Sequence, residues 1–96
     1  MKAVRLSEHA RKRALLRGAS EEQIREVLGR GRREPAKRSK WQARWRFPYG
    51  ARSPVDDKRY NEKTVEVIFA EEPDEIVVVT VKVYYSGPED SDENRI

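Results

Sequence analysis

The chain has no cysteine, and among its 96 residues His9 is the one histidine. Disulfides, thiolate nucleophiles and cysteine-zinc sites are therefore excluded, and so are sites built on several histidines. Apolar residues make up 36% of the sequence, and no run approaches the ~18 that a membrane span needs. The opening Met1-Lys2-Ala3-Val4-Arg5 turns polar at once, so no secretory signal is expected and the protein reads as cytoplasmic. Walker A, GxGxxG and GxSxG patterns are absent, and Asp56, Asp57 and Asp74 lack metal-ligand spacing. Neither a metal nor a cofactor is expected. A chain this short builds one thin core rather than a deep cofactor cavity.

What the sequence has in quantity is charge. Charged residues are 40% of the total, with 21 Lys/Arg against 17 Asp/Glu and a net charge of +4. That modest sum hides an asymmetry. Residues 1–52 hold 16 basic and 5 acidic side chains, a balance of +11; residues 53–96 hold 5 and 12, a balance of −7. A basic half of this density suits a polyanionic partner, most simply nucleic acid, although two halves pairing within the fold would look the same.

Ala3–Leu6 alternates like a short strand. Ser7 fits an N-cap, a helix follows over Glu8–Arg17, and Gly18 sits where a left-handed C′ residue belongs. Ser20-Glu21-Glu22-Gln23 is a capping box for a second helix ending near Gly29, with Ile24, Val27 and Leu28 as its apolar stripe. The segment from Gly31 to Ser39 is basic and irregular. From Lys40 to Phe47 the period becomes two: Trp41, Ala43, Trp45 and Phe47 alternate with Lys40, Gln42, Arg44 and Arg46. Residues 48–62 read as a loop, Lys63–Ala70 as a strand, 71–75 as a turn and Ile76–Tyr85 as the strongest strand. The expected fold is α+β, an N-terminal αα-hairpin on one face of a three- to four-stranded antiparallel sheet. A single domain over 1–86 would precede an acidic, disordered tail at 87–96.

Alternation also assigns faces. With Val77, Val79, Val81 and Val83 turned to the helices, Val78, Thr80, Lys82 and Tyr84 share the open face with Lys40, Arg44 and Arg46, while both tryptophans join the core. On the first helix His9, Arg13 and Arg17 are spaced i, i+4, i+8 and lie along one side. One imidazole beside two guanidiniums supplies a proton carrier and fixed cations, which metal-free cleavage of a phosphodiester requires; a solvated charged face has the same composition. Lys82 or Tyr84 would be the second proton carrier, and Lys40, Arg44, Arg46, Arg32 and Arg33 the phosphate contacts. Thr80 and Tyr84 equally suit plain sheet packing.

Leu6-Ser7-Glu8-His9-Ala10, then Arg13, then Arg17-Gly18-Ala19-Ser20, together with the closing Val-Val-Val-Thr-Val strand, resembles the small bacterial domain-of-unknown-function family 4258. That family's pattern opens with Ser-x-His-Ala, carries an Arg on the same helix and an Arg-Gly-Ile-Ser link, and closes on an Ile/Val-Thr-Val strand. Ala19 stands where the family usually has Ile. The family in turn is similar to the RelE/barnase-type toxin ribonucleases. The resemblance implies two helices packed on an antiparallel sheet and metal-independent RNA cleavage on the sheet's open side. His9, Arg13 and Arg17 match its helix motif, and Thr80 its strand motif. The expected function is a toxin-type endoribonuclease with RNA as partner and a small acidic antitoxin. The alternative is a non-catalytic nucleic-acid-binding or protein-interaction module using the same basic face.

Overall fold

The structure is a computed structural model and describes residues 2–88. Helix α1 (Glu8–Arg17) starts where Ser7 Oγ accepts a hydrogen bond from the Ala10 amide at 3.0 Å, and it ends at Gly18 with a left-handed φ of 90°. Helix α2 (Glu21–Arg30) opens on the capping box: the Gln23 amide donates to Ser20 Oγ at 3.0 Å, and the Ser20 amide to Gln23 Oε1 at 3.1 Å. The five strands are β1 (Ala3–Leu6), β2 (Glu34–Ala36), β3 (Lys40–Arg52), β4 (Arg59–Glu71) and β5 (Glu75–Pro88). They form one sheet in the order β1-β5-β4-β3-β2.

This is α+β with both helices on one face, but the sheet is larger and less uniform than the sequence suggests. β1 pairs with β5 in parallel, so the sheet is mixed. β2 lies inside the segment read as irregular; three residues at a sheet edge, one of them Pro35, are too few to show a period. Residues 48–62 are mostly strand. β3 runs on to Arg52 and β4 begins at Arg59. The ladder skips between Pro48 and Ala51, which lets a proline and the positive-φ Gly50 sit within a strand. Gly87 and Pro88 of the expected tail belong to β5, and residues 89–96 lie outside the described residues.

The core is a continuous cluster between helices and sheet. Ala10 and Ala14 of α1 and Ile24, Val27 and Leu28 of α2 meet Ala43 and Phe47 of β3, Val65, Val67 and Phe69 of β4, and Ile76, Val78, Val81 and Val83 of β5. The spacing on β5 breaks strict alternation. Phe69 pairs with Val78 and Ile68 with Thr80, so Val79 is an extra residue, a β-bulge. Val78 is consequently core, whereas Val77 and Val79 are half-buried, which reverses the expected orientation of all three. Beyond the bulge the expectation holds: Val81 and Val83 are buried on the helix side. The tryptophans also divide. Trp45 packs against the core under the Arg30 guanidinium, 5.7 Å from its ring. Trp41, expected in the core, is 38% exposed because it pairs with Pro35 of the three-residue edge strand β2.

Candidate functional site

β1 covers the outer edge of β5 only along Glu75–Val78. The chain then leaves the sheet: the Ser7 amide donates to Val78 O at 2.9 Å, Ser7 Oγ donates to the bulge carbonyl Val79 O at 3.2 Å, and α1 begins. One serine thus caps the helix and ties its start to the bulge. From there α1 packs along β5. At its far end Tyr85 Oη donates to Arg17 O at 2.6 Å, and Lys63 Nζ donates to Gly18 O at 2.5 Å. These bonds satisfy carbonyls that a helix end leaves free.

Both clamp residues are displaced in acidity by this setting. Burial pushes the Lys63 ammonium below the usual lysine range. Burial, with Tyr49 alongside, pushes the Tyr85 phenol up to about 12.

Between α1 and the uncovered edge of β5 runs a groove of about 370 Å³. Arg13 and Arg17 line it from the helix; Thr80, Lys82 and Tyr84 line it from the strand, with Val81 and Val83 beneath. The bulge helps to set this arrangement, since it lets Thr80, Lys82 and Tyr84 turn outward while Val78 and Val81 both stay in the core. Among the described residues, Arg13, Arg17 and Lys82 have no hydrogen bond or ion pair from their side chains. Three cations and two hydroxyls line one groove, a donor set whose chemistry suits a phosphate oxyanion.

Five of the six residues singled out for chemistry are therefore together. The sixth, His9, lies two turns before Arg17 on the same helix, is exposed and is not part of the groove lining.

The five expected phosphate contacts are scattered. Arg44 and Arg46 project from the open side of β3, but Arg44 is bound to Glu66 (3.1 Å) and Arg46 faces Glu62 (3.8 Å). Arg33 is on the helix side, over the Phe69 ring at 5.0 Å and paired with Glu71. Arg32 lines a separate hollow with Arg44, and Lys40 lies toward the other end of the sheet with Arg5.

Sequence reasoning passed over Glu66. It stands on β4 directly between Arg44 of β3 and Lys82 of β5, and it is only 5% exposed although no helix covers that face. Its Oε2 binds Arg44 Nη2 at 3.1 Å, and its Oε1 accepts from Tyr84 Oη at 3.4 Å. The available signal was a lone carboxylate at an outward position of a strand, between Val65 and Val67. Its meaning depends on cross-strand register.

The fold and the groove define a small α+β domain with a cationic groove between its first helix and last strand. The chain belongs to the family described as Domain of unknown function (DUF4258), whose model matches residues 6–83. No curated protein and no solved structure matches it. Among the described residues no helix is long and apolar enough to cross a membrane.

Proposed function

We propose that the protein is a metal-independent endoribonuclease of the RelE/barnase type, acting in the groove between α1 and β5. One observation carries this reading: Arg13, Arg17 and Lys82, unpaired among the described residues, converge there with the hydroxyls of Thr80 and Tyr84. In the reaction a 2′-hydroxyl gives up its proton and attacks the adjacent phosphorus. The bond to the 5′-oxygen breaks, that oxygen takes a proton, and a 2′,3′-cyclic phosphate remains. The cations bind the non-bridging oxygens and stabilise charge that builds in the transition state. Tyr84 or Lys82 carries one proton, and His9, on the same helix but outside the groove lining, is the candidate for the other.

The test is incubation of the purified protein with RNA, free and ribosome-bound, with a chelator present. Cyclic-phosphate ends are expected, and Arg13→Ala with Arg17→Ala together should slow cleavage by roughly 10²–10³-fold. Failure to cut either RNA, or full loss on chelation, would sink the mechanism. A His9→Ala protein of normal rate would remove His9 from it.

The place of His9 outside the groove lining favours a second reading, a non-catalytic RNA-binding module. Steep salt dependence of binding without turnover is its signature. A toxin-type activity also calls for an acidic neutralising protein: growth arrest on expression, relieved by such a partner, supports the first reading over the second.

A further inference from the structure

Glu66 is the carboxylate that the groove does not account for. A buried carboxylate is stable only when it is paired and hydrogen-bonded, and Glu66 has a cation on either side of it. It takes one and leaves the other. Arg44 is bound at 3.1 Å, while Lys82, equally adjacent across the strands, makes no ion pair among the described residues and lines the groove. The second oxygen of Glu66 holds the Tyr84 hydroxyl. Two other arginines beyond the groove are likewise neutralised, Arg46 by Glu62 and Arg33 by Glu71. Beside the groove, the cations left to a polyanion among the described residues are therefore Arg13, Arg17 and Lys82, while Arg44 and Arg46 of β3 are held by carboxylates.

We propose that Glu66 is a positioning residue that confines single-stranded RNA to the groove, withdrawing Arg44 from the phosphate track while fixing Tyr84 at its side. The proposal rests on reading the groove as an RNA site. Single-stranded RNA is the occupant because Tyr84 is 51% exposed beside the unpaired cations, which gives a ring for a base to stack on next to contacts for its phosphate.

Binding of a 2′-O-methyl oligonucleotide, which cannot be cleaved, tests this by anisotropy over a salt series. Glu66→Gln frees Arg44 for one more phosphate contact. Affinity should rise about five-fold at ~0.1 M salt, and the salt slope should steepen by about 0.7. The pair Glu66→Gln with Arg44→Ala should return both to wild-type values. With cleavable RNA, Glu66→Gln should lower kcat while KM stays level or falls, a split that a general loss of folding does not produce.

Unchanged or weaker binding by Glu66→Gln overturns the proposal. So does a double variant that binds markedly more weakly than wild type, and this arm stands even if the single variant unfolds. Wild-type protein that binds RNA without cutting it ends the ribonuclease reading alone, because the salt slopes still judge Glu66. Wild-type protein that binds no RNA at low salt ends both.

Discussion

At Gly18 the backbone holds φ at 90°, and a Cβ there would stand 2.6 Å from Tyr85 Oη and 2.9 Å from Pro54 Cγ. The residue permits both the left-handed turn and the close approach of the Tyr85 hydroxyl to Arg17 O. Gly18→Ala should therefore cost about 1–3 kcal/mol of stability, measured by urea unfolding, and should disturb Arg17 in the groove. Tyr85 offers a second test through pH. Its folded acidity is pushed up to about 12 from an ordinary 10.0, so it contributes stability that is present below pH 10 and is lost as pH climbs toward 12. Lys63 works in the opposite direction: its value is lowered, the folded state prefers it neutral, and stability rises as pH passes its folded value toward 10.5. Thermal midpoints from pH 8 to 12 should fall in wild type relative to Tyr85→Phe, and Tyr85→Phe should show the rise due to Lys63. Equal profiles for the two proteins would contradict the Tyr85 assignment. The groove residues themselves were legible in the sequence, because helical spacing put Arg13 and Arg17 on one side and strand alternation put Thr80, Lys82 and Tyr84 on one face. Glu66 was not, since nothing local distinguishes it from a solvated glutamate.

Among the elements, the joint between β1, α1 and β5 decides the site. Ser7 caps α1 and also binds the carbonyl of Val79, the extra residue of the bulge. Ser7→Ala removes both bonds and should lower stability by about 1–2 kcal/mol, with a larger loss of RNA cleavage than Ser20→Ala, which removes the capping hydroxyl of α2 away from the groove. Chemical denaturation of the two variants beside an activity assay checks this; equal losses of activity would count against the joint. The helices, their caps and the two strongest strands were legible because their signals are local: a hydroxyl before a helix, a glycine after it, a period of two. The bulge was hidden, since β-branched residues run unbroken through Val77-Val78-Val79 and either parity looks apolar. The parallel pairing of β1 with β5 was hidden too, because the residue partners are more than seventy positions apart.

At the scale of the molecule, part of the charge asymmetry of the sequence is folded into pairs among the described residues. Lys2 and Arg33 meet Glu71, Arg5 meets Glu75, and Arg11 meets Glu21. Hydrogen bonds from Lys2 and then Arg33 hold Glu71 below the usual carboxylate range, and Arg5 does the same for Glu75. Asp56 is lowered by Tyr60 and by the Lys58 amide. Depressed carboxylates contribute stability that is present above their unfolded values, near 4.5 for Glu and 3.8 for Asp, and that is lost as pH falls through the lower folded values. Stability should accordingly decline in acid below about pH 4.5, less steeply at high salt, where exposed pairs are screened. Arg5→Ala should flatten part of that decline, and an unchanged acid profile would remove the Arg5–Glu75 pair from the account.

By itself the sequence determined the α+β class, both helices with their caps, the basic half, the common side of Arg13 and Arg17 and the common face of Thr80, Lys82 and Tyr84. Each of these follows from short-range rules of spacing and backbone preference. Only the tertiary structure decided which cations stay unpaired among the described residues. Arg44 and Lys82 are equivalent neighbours of Glu66 in the strand pattern; the fold gives Glu66 to Arg44 and leaves Lys82 beside Arg13 and Arg17. Pairing depends on register, on the bulge at Val79 and on the end of β1 at Leu6, and these bring together residues distant in the chain.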